Sequence, residues 1–481
     1  MFEIAPPDNH VPVTNAEPQS RLEQLGYSQQ LERRLSVAEV VGLAMADVSP
    51  TMAVLFLSAG VFVVGGTYSI AAALILSVVV VLIALCLAEL GAMFPLAGGM
   101  YSIVKRVLPG PLAWITVFNY LMQGVVIPAS IALGTVGFLK DLLPALTLPD
   151  PVVALGLLAF VTVVALTKVE VGAWATGVMV IVELVVIAII TGAALLHPHH
   201  SVGQLMSHPQ MLSNGTLAMA GFGVLMATLA PAFNVINGYD AALGFAEELK
   251  GGERKLPRAV VISAVMACVL IVVPLVAALV AAPDLTQFFN ADSPVVYSVQ
   301  QSLGPAARVI VDIGGIVALL NAMLSMLMYF GRGVYTTGRD NIWPSRISKA
   351  FGSLNRFRSP AAGVLTLAIP ATVLLFTSAV HFLIIFTGTM IAAVYFCIGL
   401  AGLWSRRKFS SDERPYRMPL WPLPPIVVTA FTALALVEQE AEYLIGEAVL
   451  ITVALGCWAG AKVWNRGGQG HDAPGDHAPL T

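Results

Sequence analysis

Apolar stretches long enough to cross a bilayer recur along the whole chain. A hydrocarbon core of about 30 Å needs about 20 apolar residues in a helix. Such stretches fall near 36–64, 69–94, 112–139, 150–167, 172–195, 216–248, 257–282, 305–337, 361–378, 380–404, 423–438 and 443–465. Composition agrees. Of 481 residues, 57% are hydrophobic and only 11% charged, too little charge to cover a water-exposed surface of this size, so lipid is the solvent for most of the chain. The pattern predicts an all-α integral membrane protein with 12 transmembrane helices. The first 30 residues are polar and carry Pro6, Pro7, Pro12 and Pro18, unlike a cleavable signal peptide. They read as a disordered cytosolic arm (1–34). A Gly/Pro-rich cytosolic tail (466–481) closes the chain, and the main body of spans is expected over 35–404, followed by helices 11 and 12 over 405–465.

Charge placement orients the spans. With the N-terminus in the cytosol, all 25 Lys and Arg except Lys140 and Arg308 fall on cytosolic segments. That asymmetry is the positive-inside pattern. One span more or fewer would scramble it, so both termini are expected in the cytosol and the protein in the cytoplasmic membrane. Cys86, Cys268, Cys397 and Cys457 lie inside apolar stretches without a CxxC pair, which fits small buried side chains better than a disulfide or metal site.

Two spans are interrupted. The first carries Asp47, Ser49, Pro50 and Thr51 in its middle, and the sixth carries Pro231, Asn234, Asn237, Gly238 and Asp240. Proline removes a backbone donor and clashes with the preceding turn, so breaks are expected at Pro50 and around Pro231 to Gly238. Unwound backbone at membrane depth is tolerated where protein buries it or where it lines a wet cavity. Matching breaks five helices apart point to a five-plus-five inverted repeat, helices 1–5 over about 36–195 and 6–10 over about 216–404, with a midplane site between the breaks. The alternative is that both prolines only kink packed helices.

Three cytosolic loops carry motifs. Ala88 to Pro111 reads AELGAMFPLAGGMYSIVKRVLPGP, Asn237 to Ser263 reads NGYDAALGFAEELKGGERKLPRAVVIS, and Gly331 to Pro344 reads GRGVYTTGRDNIWP. In this order they resemble the signatures of permeases of the amino acid–polyamine–organocation (APC) superfamily. The resemblance implies a leucine-transporter-type fold and transport of amino acids, amines or similar organocations by alternating access, coupled to protons or sodium or by exchange. It implies a substrate held between the unwound parts of helices 1 and 6, with help from helices 3, 8 and 10. The chain departs from the family at the first break. The Gly-Ser/Thr-Gly triplet whose backbone cradles a carboxylate falls here on Pro50, Thr51 and Met52. Proline has no N–H and methionine is bulky, whereas Asp47, one turn earlier, suits a cationic group.

The expected substrate-binding residues are thus Asp47, Ser49, Thr51, Asn234, Asn237, Gly238 and, on helix 3, Asn119. Five acids lie at or near membrane depth: Asp47, Glu89, Glu183, Asp240 and Asp312. No Lys or Arg stands at mid-membrane to pair with them, so they are expected to be protonated, hydrated or cation-bound. Glu89 fits a cap of its adjoining loop. Asp312 fits an i, i+4 pair with Arg308. Glu183 is either a proton carrier or a neutral glutamic acid bonded to the helix 1 break. In proton-coupled relatives a lysine often stands at its position. Asp240 is a gating residue, as in relatives, a cap of the second half of helix 6, or both. Asn321 and Ser325 lie near the ion site of sodium-coupled relatives, so Glu183, Asp240, Asn321 and Ser325 form the coupling or gating set. His197, His199 and His200 read as a solvated loop. No HExxH, Ser/His/Asp setting or phosphate loop is present, so an enzyme is not expected, nor is a cofactor, metal or nucleic-acid partner. The expected partners are a small amino acid or amine, a proton or sodium ion, and the bilayer. The alternatives are a non-transporting membrane nutrient sensor and a potassium or other cation carrier of the same fold.

Overall fold

The structure is a computed structural model that describes residues 25, 33–96, 98–167, 169–357 and 359–467. The expected arm and tail lie almost wholly outside these, as do Lys168 and Arg358. The architecture is mainly helical, with principal helices α1 (Val37–Val48), α2 (Ser58–Gly65), α3 (Tyr68–Met93), α4 (Met100–Val107), α5 (Gly110–Leu142), α6 (Asp150–Ala165), α7 (Val169–Leu196), α8 (Phe222–Val235), α9 (Gly252–Ala281), α10 (Pro305–Arg339), α11 (Ala361–Thr377), α12 (Val380–Lys408), α13 (Leu423–Val437) and α14 (Ala441–Gly467). Among the described residues, nine helical segments are long and apolar enough to cross a membrane. Three shorter apolar helices, α6, α11 and α13, stand where further spans are expected.

The helices form because long Ala, Leu, Val and Ile runs satisfy every backbone group internally, which lipid demands. Many side chains are apolar all round: Val78, Val163 and Ile181 face outward at over half exposure, while Leu76, Ile83 and Leu90 are fully buried. The centre is built by α1, α5, α7, α8, α10 and α12. There α5 packs along α10 and α12, and α1 lies against α7, α9 and α10. Small residues permit the close crossings: a Cβ at Gly363 would stand 2.4 Å from the Gly331 carbonyl oxygen, an α10–α11 contact of the kind membrane helices favour.

One face is basic. There Glu89 of α3 accepts from Arg406 (2.8 Å), from Arg414, and from the Met418 amide (2.7 Å). This corrects the expectation that the intramembrane acids lack basic partners: Glu89 does cap a loop, but the one after α12 rather than its own. Asp312 pairs with Arg308 at 3.4 Å on the opposite face, as its spacing suggests.

The sixth span begins later than expected. Residues 216–219 form β2 (Thr216–Met219), antiparallel to β1 (Gln210–Ser213). Asn214 and Gly215 turn between them with φ of 51° and 80°. Asn-Gly is the strongest two-residue hairpin signal and was legible in the sequence.

Candidate functional site

Both interruptions exist, the first at the Ser49–Pro50 junction and the second at the glycine end of the expected stretch rather than at Pro231. In the first span α1 stops at Val48, and Ser49 takes a left-handed conformation, φ 40°. Pro50 then opens the next turn as its first residue, where its fixed φ and missing N–H cost nothing. Ala53–Leu57 is wound as a π-helix before α2. In the sixth span Pro231 sits inside the continuous helix α8. The chain unwinds only at Ile236 to Gly238 and resumes as a 3₁₀ segment, Tyr239–Phe245. Asn-Gly, not proline, makes this break, because Gly238 adopts φ 97°.

The two breaks touch. A Cβ on Gly238 would stand 2.8 Å from the Val48 amide nitrogen and 3.0 Å from the Asp47 carbonyl oxygen. Only glycine allows this crossing of backbones. Beside it is a cavity of about 20 Å³, lined by Asp47, Val48, Met52, Ser130, Asn234, Asn237 and Thr387, among others. That volume holds about one water. Asp47 is 3% exposed and its Oδ1 has no hydrogen-bond partner. Ser325 and Asp240 are among its polar neighbours. Met52 contributes an apolar side chain to the cavity wall.

Above this cavity, away from the basic face, lies a vestibule of about 600 Å³. Leu57 and Asn234 line both spaces. Asn234 also donates to the Ile384 carbonyl at 2.9 Å, tying α8 to α12. The vestibule wall carries Asp141, Asp292, Glu438 and Glu440, and no Lys or Arg among its described lining residues.

Toward the basic face the floor is closed by phenols and ion pairs. Asp240 accepts from Tyr395 (3.0 Å) and Tyr329 (3.2 Å), and the Tyr395 hydroxyl also lies 2.8 Å from Asn237 Oδ1. The Asp240 carboxyl, in the first turn of the 3₁₀ segment, thereby ties that segment to α10 through Tyr329 and to α12 through Tyr395. Below it Asp340 bridges Lys105 (2.8 Å) and Tyr101 (3.0 Å), Arg339 meets Glu247 (3.3 Å), and Arg332 meets Glu248 (3.2 Å). Burial by itself would raise the Asp340 carboxyl, but Lys105, with Arg106 and Arg339, holds it below the usual carboxylate range.

Several expected site residues turn elsewhere. Ser49 donates to Glu183 Oε2 at 2.8 Å and lies 3.2 Å from the Ala318 carbonyl oxygen, while Thr51 donates to the Glu183 carbonyl at 3.0 Å. Neither lines the cavity. Asn321 donates to Glu183 Oε1 at 2.8 Å. The first break is thereby fastened to α7 and α10. Asn119 is also remote from the cavity and donates to Glu447 of α14 at 2.9 Å. Glu447, 5% exposed with Oε2 unpartnered, is a sixth intramembrane acid that sequence reasoning missed, though a lone carboxylate in EAVLITVAL is a plain signal. Tyr329 and Tyr395 were missed as well. Nothing in an apolar helix marks which tyrosine will meet a carboxylate.

Residues 35–450 match the family model described as amino acid permease. The branched-chain amino acid permease BcaP of Lactococcus lactis is 27% identical over 71% of this chain and 76% of its own length. The methylthioribose transporter of Bacillus subtilis is 24% identical over 85% of this chain and 89% of its own. The low-affinity putrescine importer PlaP of Escherichia coli is 22% identical over 78% and 81%. The motifs, the multi-pass helical architecture and a family match over most of the length lead to one conclusion: the chain belongs to the amino acid permease family of the APC superfamily, and it is a membrane permease for amino acids or amines rather than an enzyme.

Proposed function

We propose that this permease carries small amines or cationic amino acids across the cytoplasmic membrane by alternating access, with the substrate ammonium at Asp47. The observation that carries this reading is the unpartnered, buried Asp47 oxygen where the two breaks meet, below a vestibule lined with carboxylates. Buried carboxylates need a proton or a cation. Names among the relatives, putrescine importer and cationic amino acid transporter, are compatible with it. So is Pro50, which offers no N–H to a substrate carboxylate.

The reading takes α6, α11 and α13 as spans, for twelve in all, in a five-plus-five inverted repeat of the leucine-transporter type. Both termini and the basic face lie in the cytosol. The vestibule then faces outward, and the floor of Asp240, Tyr329, Tyr395 and the Asp340 bridge is the closed inner gate. Glu183, held by a hydroxyl and an amide, takes the coupling proton.

Thermal-shift measurements on the purified protein test this, since a ligand bound only by the folded state raises its melting temperature. Diamines and cationic amino acids are expected to stabilise it, and Asp47→Asn to abolish the shift. Stabilisation only by neutral aliphatic amino acids, unchanged in Asp47→Asn, would remove the ammonium anchor. A shift with inorganic cations alone would favour the cation-carrier reading.

A further inference from the structure

A second and larger space opens on the flank of the molecule. It is a groove of about 800 Å³ between α1, α7 and α9, separate from the vestibule. Its walls are apolar: Val41 and Met45 from α1, Val180 and Ile187 from α7, Met266 and Leu270 from α9. Leu184 and Met266 in its lining are 43% and 38% exposed. At one end stand Lys250, Lys255 and Arg258, all exposed, and among the described residues none is in an ion pair. Glu39, a carboxylate that feels the charge of Lys250, is already engaged by the Ser36 amide at 2.7 Å.

We propose that this groove is a binding site for an anionic phospholipid, with the headgroup phosphate on Lys250, Lys255 and Arg258 and one acyl chain along α9. The dimensions match. Arg258 to Leu270 spans about 18 Å along a helix, the depth of one leaflet's acyl region. Basic pockets between transmembrane helices select anionic headgroups, while apolar walls alone distinguish no lipid from another. The rival occupant is the chain's own acidic N-terminal segment, with Glu3, Asp8, Glu17, Glu23 and Glu32 against Arg21. Its polar, proline-rich sequence suits the basic end but not an apolar wall of this length. The site is independent of the transport reading. Pro50 and Glu183 line the same groove, so its lipid would lie against the first break from the membrane side.

Native mass spectrometry of the full chain in detergent tests the proposal, with phosphatidylglycerol and phosphatidylcholine added at equal concentration. The intact protein is expected to retain one phosphatidylglycerol in preference to phosphatidylcholine. The variant Lys250→Gln, Lys255→Gln, Arg258→Gln should lose that preference by about tenfold or more, and Met266→Trp, which fills the apolar part, should lose the bound lipid itself. Arg346→Gln with Lys349→Gln, elsewhere on the basic face, should change nothing. Should the triple variant fail to fold, Lys255→Gln alone serves, with a smaller loss of preference. Equal retention of both lipids by the intact protein, or full retention by a folded charge variant, would overturn the assignment. Preferential binding that appears only after residues 1–24 are deleted would overturn it in favour of the N-terminal segment.

Discussion

Ser49 donates to the Glu183 carboxylate across 2.8 Å, and this bond fastens the first break to α7. Ser49 is the residue whose φ of 40° makes the break, so the group that bends the chain also anchors the bend. Ser49→Ala removes the donor and leaves a buried carboxylate oxygen unpaired, which should cost roughly 1–3 kcal/mol. A fall in melting temperature checks it. Glu183→Gln keeps an acceptor for Ser49, so it should fold nearly normally yet lose the response of uptake to an inward-acidic gradient in proteoliposomes. An unchanged gradient response would remove Glu183 from coupling.

Gly238→Ala should damage both stability and transport. The new Cβ would lie 2.8 Å from the Val48 nitrogen, and φ of 97° is costly for any residue with a side chain. Backbone strain alone is worth about 1–3 kcal/mol, and the contact is with backbone that cannot swing aside. Gly137→Ala, with nothing within 4 Å of its Cβ, is the matched control and should be neutral.

Asp340 gives a pH prediction. Its carboxyl is held below the usual range by Lys105, Arg106 and Arg339 against the opposing effect of burial. A carboxyl depressed in the folded state stabilises above its unfolded value, about pH 3.9, and that contribution is lost as pH falls through the folded value. Asp340→Asn should therefore melt below the intact protein at pH 7 by an amount that shrinks below about pH 4. Burial also lowers Lys105, so the same difference should shrink in strong alkali. A pH-independent difference would make the bridge a packing contact only.

Glu89→Gln should be among the most destabilising single changes. It leaves Arg414, whose side chain is 1% exposed, without its carboxylate, and weakens the contacts of Arg406 and the Met418 amide. Removing one partner of a buried pair costs about 3–5 kcal/mol. Replacing the exposed Arg407 by Gln should change the melting temperature little.

The sequence by itself determined that the chain is helical and lives in lipid, because bilayer thickness sets the length of every apolar run and basic residues avoid one side. It also marked the two broken spans and the family motifs. Proline marked them unequally: the first bend falls at Ser49, directly before Pro50, whereas Pro231 is absorbed in α8 and Gly238 makes the second bend. Which polar groups meet was decided only by tertiary packing. Asp47, Ser49 and Thr51 sit within five residues, yet Asp47 faces the cavity while Ser49 and Thr51 turn to Glu183, 134 and 132 residues away. Asn119 likewise finds Glu447 across 328 residues. Side-chain direction around an unwound turn depends on which neighbouring helix supplies a partner, and helix pairing in a bundle is a property of the whole chain, not of the segment that carries the residue.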